Sequence, residues 1–117
     1  MNSVILIGNV GKEPHIAEYD WGLGASFPLA ISKIKKNKDG EKSKETTWVQ
    51  CRCAGDLAKV IRDLVKKGQK LAIKGELKSY ETEQDNHTQT VLYVGIGEFE
   101  ILTPKEKKEP TNDLDFL

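Results

Sequence analysis

At 117 residues, 38% hydrophobic and 31% charged, the chain has the length and composition of one soluble domain with a core of modest size. Its formal net charge of zero hides a segregation: residues 1–32 carry −2, residues 33–78 carry +8, residues 79–102 carry −5 and residues 103–117 carry −1. No apolar run approaches the roughly 18 residues of a membrane span, and MNSVILIGNVG has neither a basic lead-in nor an A-x-A-like site, so no signal peptide and no membrane partner are expected, and the cytoplasm is the expected location.

SVILIGNVG is a short β-branched apolar run closed by a turn, hence a first strand. KEPHIAEYDWGLG reads as a loop or an outgoing strand with a turn at its end. ASFPLAISK alternates, with Phe27, Leu29 and Ile31 on one face and Ser26, Ala30 and Ser32 on the other. Pro28 has no N–H for a ladder, which predicts an edge or bulge in the middle of this strand. KKNKDGEKSKE centres on Asp39-Gly40, a strong hairpin signal. It joins ASFPLAISK to TTWVQCRCAG in one long antiparallel ribbon with a positively charged tip.

TTWVQCRC puts Val49, Cys51 and Cys53 on an apolar face and Trp48, Gln50 and Arg52 on the other. A core tryptophan keeps apolar company. This one shares its face with a glutamine and an arginine, and an exposed aromatic beside a cation is the unit that stacks a base and grips a phosphate. GDLAKVIRDLVKKGQ is the one clear helix. Asp56 is its expected N-cap, Leu57, Val60, Ile61, Leu64 and Val65 its buried stripe, Lys66 and Lys67 its last turn and Gly68 its stop. In QKLAIKGELKSYE, Leu71, Ile73 and Leu77 are expected inward, with Lys70, Lys74, Lys78 and Tyr80 opposite. ETEQDNHTQ is a second polar turn, and TVLYVGIGEFEIL is a final strand broken by Gly95 and Gly97. The composition after Thr103 predicts a disordered linker, so the expected domain is residues 1–103, followed by a linker and tip over residues 104–117.

Strand, strand, strand, helix, strand, strand is the layout of an all-β fold with one helix, the five-stranded Greek-key barrel called the OB-fold. Such barrels bind ligands on the face of the second and third strands, where Trp48, Gln50 and Arg52 fall. The +8 block over residues 33–78 is an electrostatic footprint for a polyanion. Enzyme chemistry finds no support. No Ser–His–acid arrangement can be assembled, GNVGKE lacks the spacing and Ser/Thr of a Walker loop, and no carboxylate pair stands out. Cys51 and Cys53 are side-by-side neighbours on one strand face, a poor geometry for a disulfide. Zinc would need two further ligands, and only His15 and His87 are on offer, without ligand-like spacing. The pair reads as small buried hydrophobes, and neither a metal nor another cofactor is expected.

NSVILIGNVGKEP, ASFPLAIS, the basic hairpin into TTWVQCRCAGDLA, and LVKKGQKLAIKGELKSYE together resemble the bacterial single-stranded DNA-binding protein family, from about Asn2 to Leu102. The resemblance implies a homotetramer of OB-folds that binds single-stranded DNA with little sequence preference during replication, recombination and repair; edge pairing of the first strand with a second copy would give a dimer instead. Trp48 matches one of the family's stacking tryptophans. Ile34 stands where the family has another, Ala54 where it has a stacking phenylalanine, and Tyr80 lies near the place of a third tryptophan. With the cations and polar groups read from the strand faces and the basic hairpin, the expected DNA-binding set is Asn9, Lys33, Ile34, Lys35, Lys36, Lys38, Trp48, Gln50, Arg52, Lys74, Lys78 and Tyr80. This thinned aromatic set fits a diverged member, such as one from a phage or mobile element.

NDLDFL resembles the family's acidic tip, which docks on replication and repair enzymes. Asp113 and Asp115 would steer toward a basic rim, and Phe116 with Leu117 would fill an apolar pocket. The family tip normally closes on Pro-Phe, whereas here Leu117 follows Phe116 and no proline precedes it. A rival reading is a primosome-type OB-fold accessory factor, acting mainly through protein contacts.

Overall fold

The structure, a computed structural model, describes residues 1–104. Its elements are β1 (Val4–Val10), β2 (His15–Tyr19), β3 (Gly22–Lys36), β4 (Lys42–Ala54), α1 (Asp56–Leu64), β5 (Lys70–Gln84) and β6 (His87–Ile101). Strands β1, β5, β6, β4 and β3 are hydrogen-bonded in that order, and β1 returns to β3 at Asn9–Ala30 and Val10–Leu29. The five strands therefore close into a barrel. Every pairing is antiparallel except β4 with β6, which meet in parallel at Cys51–Val94 and Arg52–Gly95. This is the OB-fold, with β3 and β4 as the ligand-face strands expected from sequence. The stretch HIAEY forms an additional strand, β2, which runs along β3 from His15–Ser26 to Tyr19–Gly22. It covers the part of β3 that β1 leaves unpaired.

Alternation along these strands builds the core. Phe27, Leu29, Cys51, Leu71, Ile73 and Val94 are buried inside, and Ala58, Ile61 and Val65 close one end of the barrel. Burying each large aliphatic or aromatic side chain contributes about 1.5–3 kcal/mol. A nine-residue helix is not stable alone in water, so α1 depends on this packing.

Several sequence expectations are corrected. Gly55, not Asp56, is the N-cap: its φ of 76° suits a glycine, and no side chain caps the helix. The buried stripe is Leu57, Ala58, Ile61 and Val65, which pack on the barrel core, while Val60 and Leu64 lie on the flank turned to solvent. The helix ends at Leu64, so Lys66 and Lys67 are outside its last turn. Gly68, at φ 91°, instead shapes the loop into β5, donating its N–H to the Val10 carbonyl at 2.8 Å.

Leu77 is 47% exposed rather than inward, since the β5–β6 hairpin extends beyond the barrel. That hairpin turns through Asp85 and Asn86, both at positive φ, as a two-residue turn of this hand requires. The final strand is continuous through Gly95 and Gly97. Lys74 faces Glu98 and Gly75 faces Ile96, so Gly97 is an extra residue in the ladder. A Cβ on Gly75 would collide with the Gly95 carbonyl oxygen, so the glycine is needed where the two strands close up.

Pro28 lies in an unbroken β3 opposite Gln50. Its carbonyl accepts the Gly11 N–H at 2.9 Å, so its N-side faces the gap between the end of β2 and the start of β1 pairing, where no donor is required.

Candidate nucleic-acid interface

Trp48, Gln50 and Arg52 point outward from β4, while Cys51 between them is fully buried. Trp48 is 62% exposed. Across the sheet it stands opposite Ala30, which stands opposite Asn9. Its indole lies over the backbone at Gly11. A Cβ there would stand 2.5 Å from Trp48 Cζ3 and 3.5 Å from Pro28 Cγ. Glycine thus makes room for the ring, and the Gly11–Pro28 hydrogen bond fixes the floor beneath it. A shallow groove of about 520 Å³ runs beside the ring, lined by Lys12, His15, Ser26, Pro28 and Gln50.

Four residues farther along β4, about 13 Å on, the Arg52 guanidinium carbon lies 5.1 Å from the Tyr80 ring centroid and 5.2 Å from that of Tyr93. Both distances suit cation–π attraction, which aims the guanidinium without consuming its five donors. The two tyrosines are 5.9 Å apart and tilted by 53°. This cluster is assembled by the parallel β4–β6 pairing. It adjoins a larger groove of about 840 Å³, whose walls include Arg52, Lys74, Lys78, Tyr93, Tyr19 and Trp21. His15 and Ser26 line both grooves, which join them into one track over the barrel. At its far end Tyr19 and Trp21 stack with centroids 4.9 Å apart and planes 8° from parallel.

The track therefore gathers Trp48, Gln50, Arg52, Lys74, Lys78 and Tyr80 of the sequence-predicted set. It adds Tyr93, His15, Tyr19 and Trp21, which strand alternation alone does not select. The hairpin divides. Alternation along the β3–β4 ladder puts Ile34, Lys36, Lys42 and Lys44 on the Trp48 side and Lys33 and Lys35 on the opposite one. Lys35 there pairs with Glu45 at 3.0 Å. Lys38 sits in the tip loop, which Asn37 and Gly40 close by hydrogen bonds, with Gly40 at φ 82°. Asn9 lies on the Trp48 side, but its amide donates to the Gly68 carbonyl at 3.2 Å and so holds the loop before β5.

Ala54 carries no ring, and Asp113, Asp115, Phe116 and Leu117 lie outside the described residues. Both cysteines are free. Burial, with Cys53 close by, pushes the Cys51 thiol up to about 12, and burial pushes Cys53, which is only partly covered, up to about 11. Both stay protonated at neutral pH and make poor nucleophiles or metal ligands. Among the described residues no cluster of three or more His, Cys, Asp or Glu is arranged to hold a metal, and no helix is long and apolar enough to cross a membrane.

Residues 1–102 match the family model described as "Single-strand binding protein family". The chain belongs to that family. Among relatives of the single-strand binding family, it is 31% identical over 109 residues to the "Single-stranded DNA-binding protein" of Bacteroides thetaiotaomicron, covering 90% of this chain and 68% of the relative. It is 29% identical over 104 residues to the protein of the same name from Xylella fastidiosa, covering 87% of this chain and 63% of that one. The chain thus spans about two thirds of the length of these family members. The Plasmodium falciparum SSB complex with ssDNA has the same fold, with a TM-score of 0.77 at 20% identity, over 87% of this chain and 95% of that one. The single-stranded DNA-binding protein of Thermus aquaticus, solved as a deletion mutant, aligns with a TM-score of 0.75 at 23% identity, over 90% of this chain and 52% of that one.

Proposed function

We propose that this chain binds single-stranded DNA with little sequence preference. The observation that carries the reading is the single track in which exposed Trp48 and the Arg52–Tyr80–Tyr93 cluster alternate aromatic faces with cations. Every base has a face to stack, so such a track tolerates sequence, and about 1–3 kcal/mol per stacked base gives useful affinity. Duplex DNA hides those faces inside its stack. Tryptophan fluorescence titrated with oligo-dT, with a duplex of equal length as control, tests this. Saturable quenching by the single strand alone is expected. Absence of quenching at low salt, or equal quenching by duplex, would overturn the reading.

On this reading the protein coats exposed strands in the cytoplasm during replication, recombination and repair, without chemistry of its own. Family membership and the segment holding Asp113, Asp115, Phe116 and Leu117 support recruitment of partner enzymes, by acidic steering and an aromatic anchor. Deleting residues 113–117 should abolish partner capture and leave DNA affinity intact or slightly higher. Self-association, as a tetramer by the family resemblance or as a dimer, is supported by Ile5 and Ile7, which are 70% and 50% exposed on β1. Light scattering would count the subunits. The accessory-factor alternative rests on a sparse aromatic set, and Tyr93, Tyr19 and Trp21 make that set less sparse.

A further inference from the structure

We propose that Trp21 is a second base-stacking platform, at the far end of the track from Trp48. This rests on the single-stranded DNA reading above and extends it. Three observations carry it. First, Trp21 is 65% exposed, so burial does not account for it. Second, it is held in place. Tyr19 lies parallel beneath it at 4.9 Å, and Tyr19 in turn leans on Gly24, where a Cβ would stand 3.1 Å from Tyr19 Cε2. The result is a pile of Gly24, Tyr19 and Trp21 whose top face is free, and a ring already fixed loses little freedom when a base covers it.

Third, Tyr19 and Trp21 form part of the wall of the larger groove, where the charges nearly cancel: Arg52, Lys74 and Lys78 stand with Glu76 and Glu98. Phosphate attraction is weak there, so holding a strand in that groove falls to aromatic faces. A strand leaving Trp48 and passing His15, Ser26 and Arg52 would set a later base on Trp21.

The chain has only two tryptophans, which makes the test direct. In Trp48→Phe, Trp21 is the sole indole. Its emission should be quenched by oligo-dT at the same midpoint as the anisotropy of a fluorescein-labelled oligo-dT. In the otherwise unchanged chain, Trp21→Ala should lower the affinity about 5- to 140-fold, the range expected for one stacked base. Trp21→Phe should restore most of it. Binding by anisotropy with unchanged Trp21 emission, or a change under about twofold in Trp21→Ala, overturns the proposal. If the unmodified protein gives no anisotropy change at low salt, the single-stranded DNA reading fails, and this proposal with it.

Discussion

Gly11→Ala tests whether the Trp48 ring works from the floor it lies on. The new Cβ would stand 2.5 Å from Cζ3 where ordinary van der Waals separation begins at 3.4 Å, so the indole must shift by about 1 Å or swing outward. Gly11 is not at positive φ, so the backbone accepts alanine. The less flexible unfolded chain should offset any packing loss by about 0.4–1 kcal/mol. Stability should therefore change little, while stacking loses its alignment. If about 1 kcal/mol of the 1–3 kcal/mol per base is forfeited, oligo-dT affinity falls roughly fivefold.

A double-mutant cycle isolates the cause. Trp48→Ala alone should cost more, about 5- to 140-fold, and leave the barrel folded, because the ring is mostly exposed. Gly11→Ala added to Trp48→Ala should then cost nothing further. Anisotropy of labelled oligo-dT measures affinity, and circular dichroism melts measure folding. An equal loss from Gly11→Ala with and without Trp48 would show that Gly11 does not act through the ring, and a Trp48→Ala protein that unfolds would show that the ring belongs to the core.

Charge reversal on the hairpin should depend on its face. Lys42→Glu with Lys44→Glu should weaken oligo-dT binding and flatten the salt dependence by about 0.7 for each phosphate that is no longer neutralised, and Lys33→Glu with Lys35→Glu should do much less. A reversed order in salt titrations would show that the face assignment is wrong. Gly75→Ala should destabilise by about 2 kcal/mol or more, as overpacking against rigid backbone does, lowering Tm by roughly 8–16 °C. An unchanged melt would contradict the close approach to Gly95.

Folded Cys51 and Cys53 hold their protons up to about 12 and about 11, against 9.0 for an ordinary thiol. The unfolded chain releases them first, so this contribution is intact below pH 9 and is lost as pH rises from 9 through 11 and 12. The urea midpoint should fall between about pH 8.5 and about 10.5, and fall less in Cys51→Ala. Equal pH profiles for the two proteins would sink that explanation.

The barrel is legible in the sequence wherever local alternation coincides with burial. Phe27, Leu29, Cys51, Leu71 and Ile73 fall inward as their spacing requires, and Trp48, Gln50 and Arg52 fall outward. Tyr93 escapes because of the extra residue at Gly97. Alternation counted back from Ile101 and Phe99 places Tyr93 inward, but the bulge reverses the parity, so Val94 and Ile96 are buried and Tyr93 joins Arg52. Trp21 sits in the β2–β3 turn, where no periodicity assigns a face, and its partner Tyr19 belongs to a stretch whose sequence reads as loop or strand. The division of the hairpin lysines needs the pairing register, which Asp39-Gly40 alone leaves open by a residue. Val60 and Leu64 match a helical stripe, but which flank of a short helix meets the barrel is decided by its neighbours, here through Ala58 and Ile61.

A single strand of DNA is expected to lie across the face running from Trp48 to the Arg52–Tyr80–Tyr93 cluster. Chemical-shift mapping of the 15N-labelled protein with and without oligo-dT locates the strand. The Trp48 indole N–H and the backbone amides of Gly11, Ser26, Gln50, Arg52 and Tyr93 should move together on titration, while those of Val60 and Leu64 on α1 stay fixed. Shifts concentrated on α1, or a titration that leaves Trp48 and Arg52 unmoved while DNA binds, would overturn this placement of the strand.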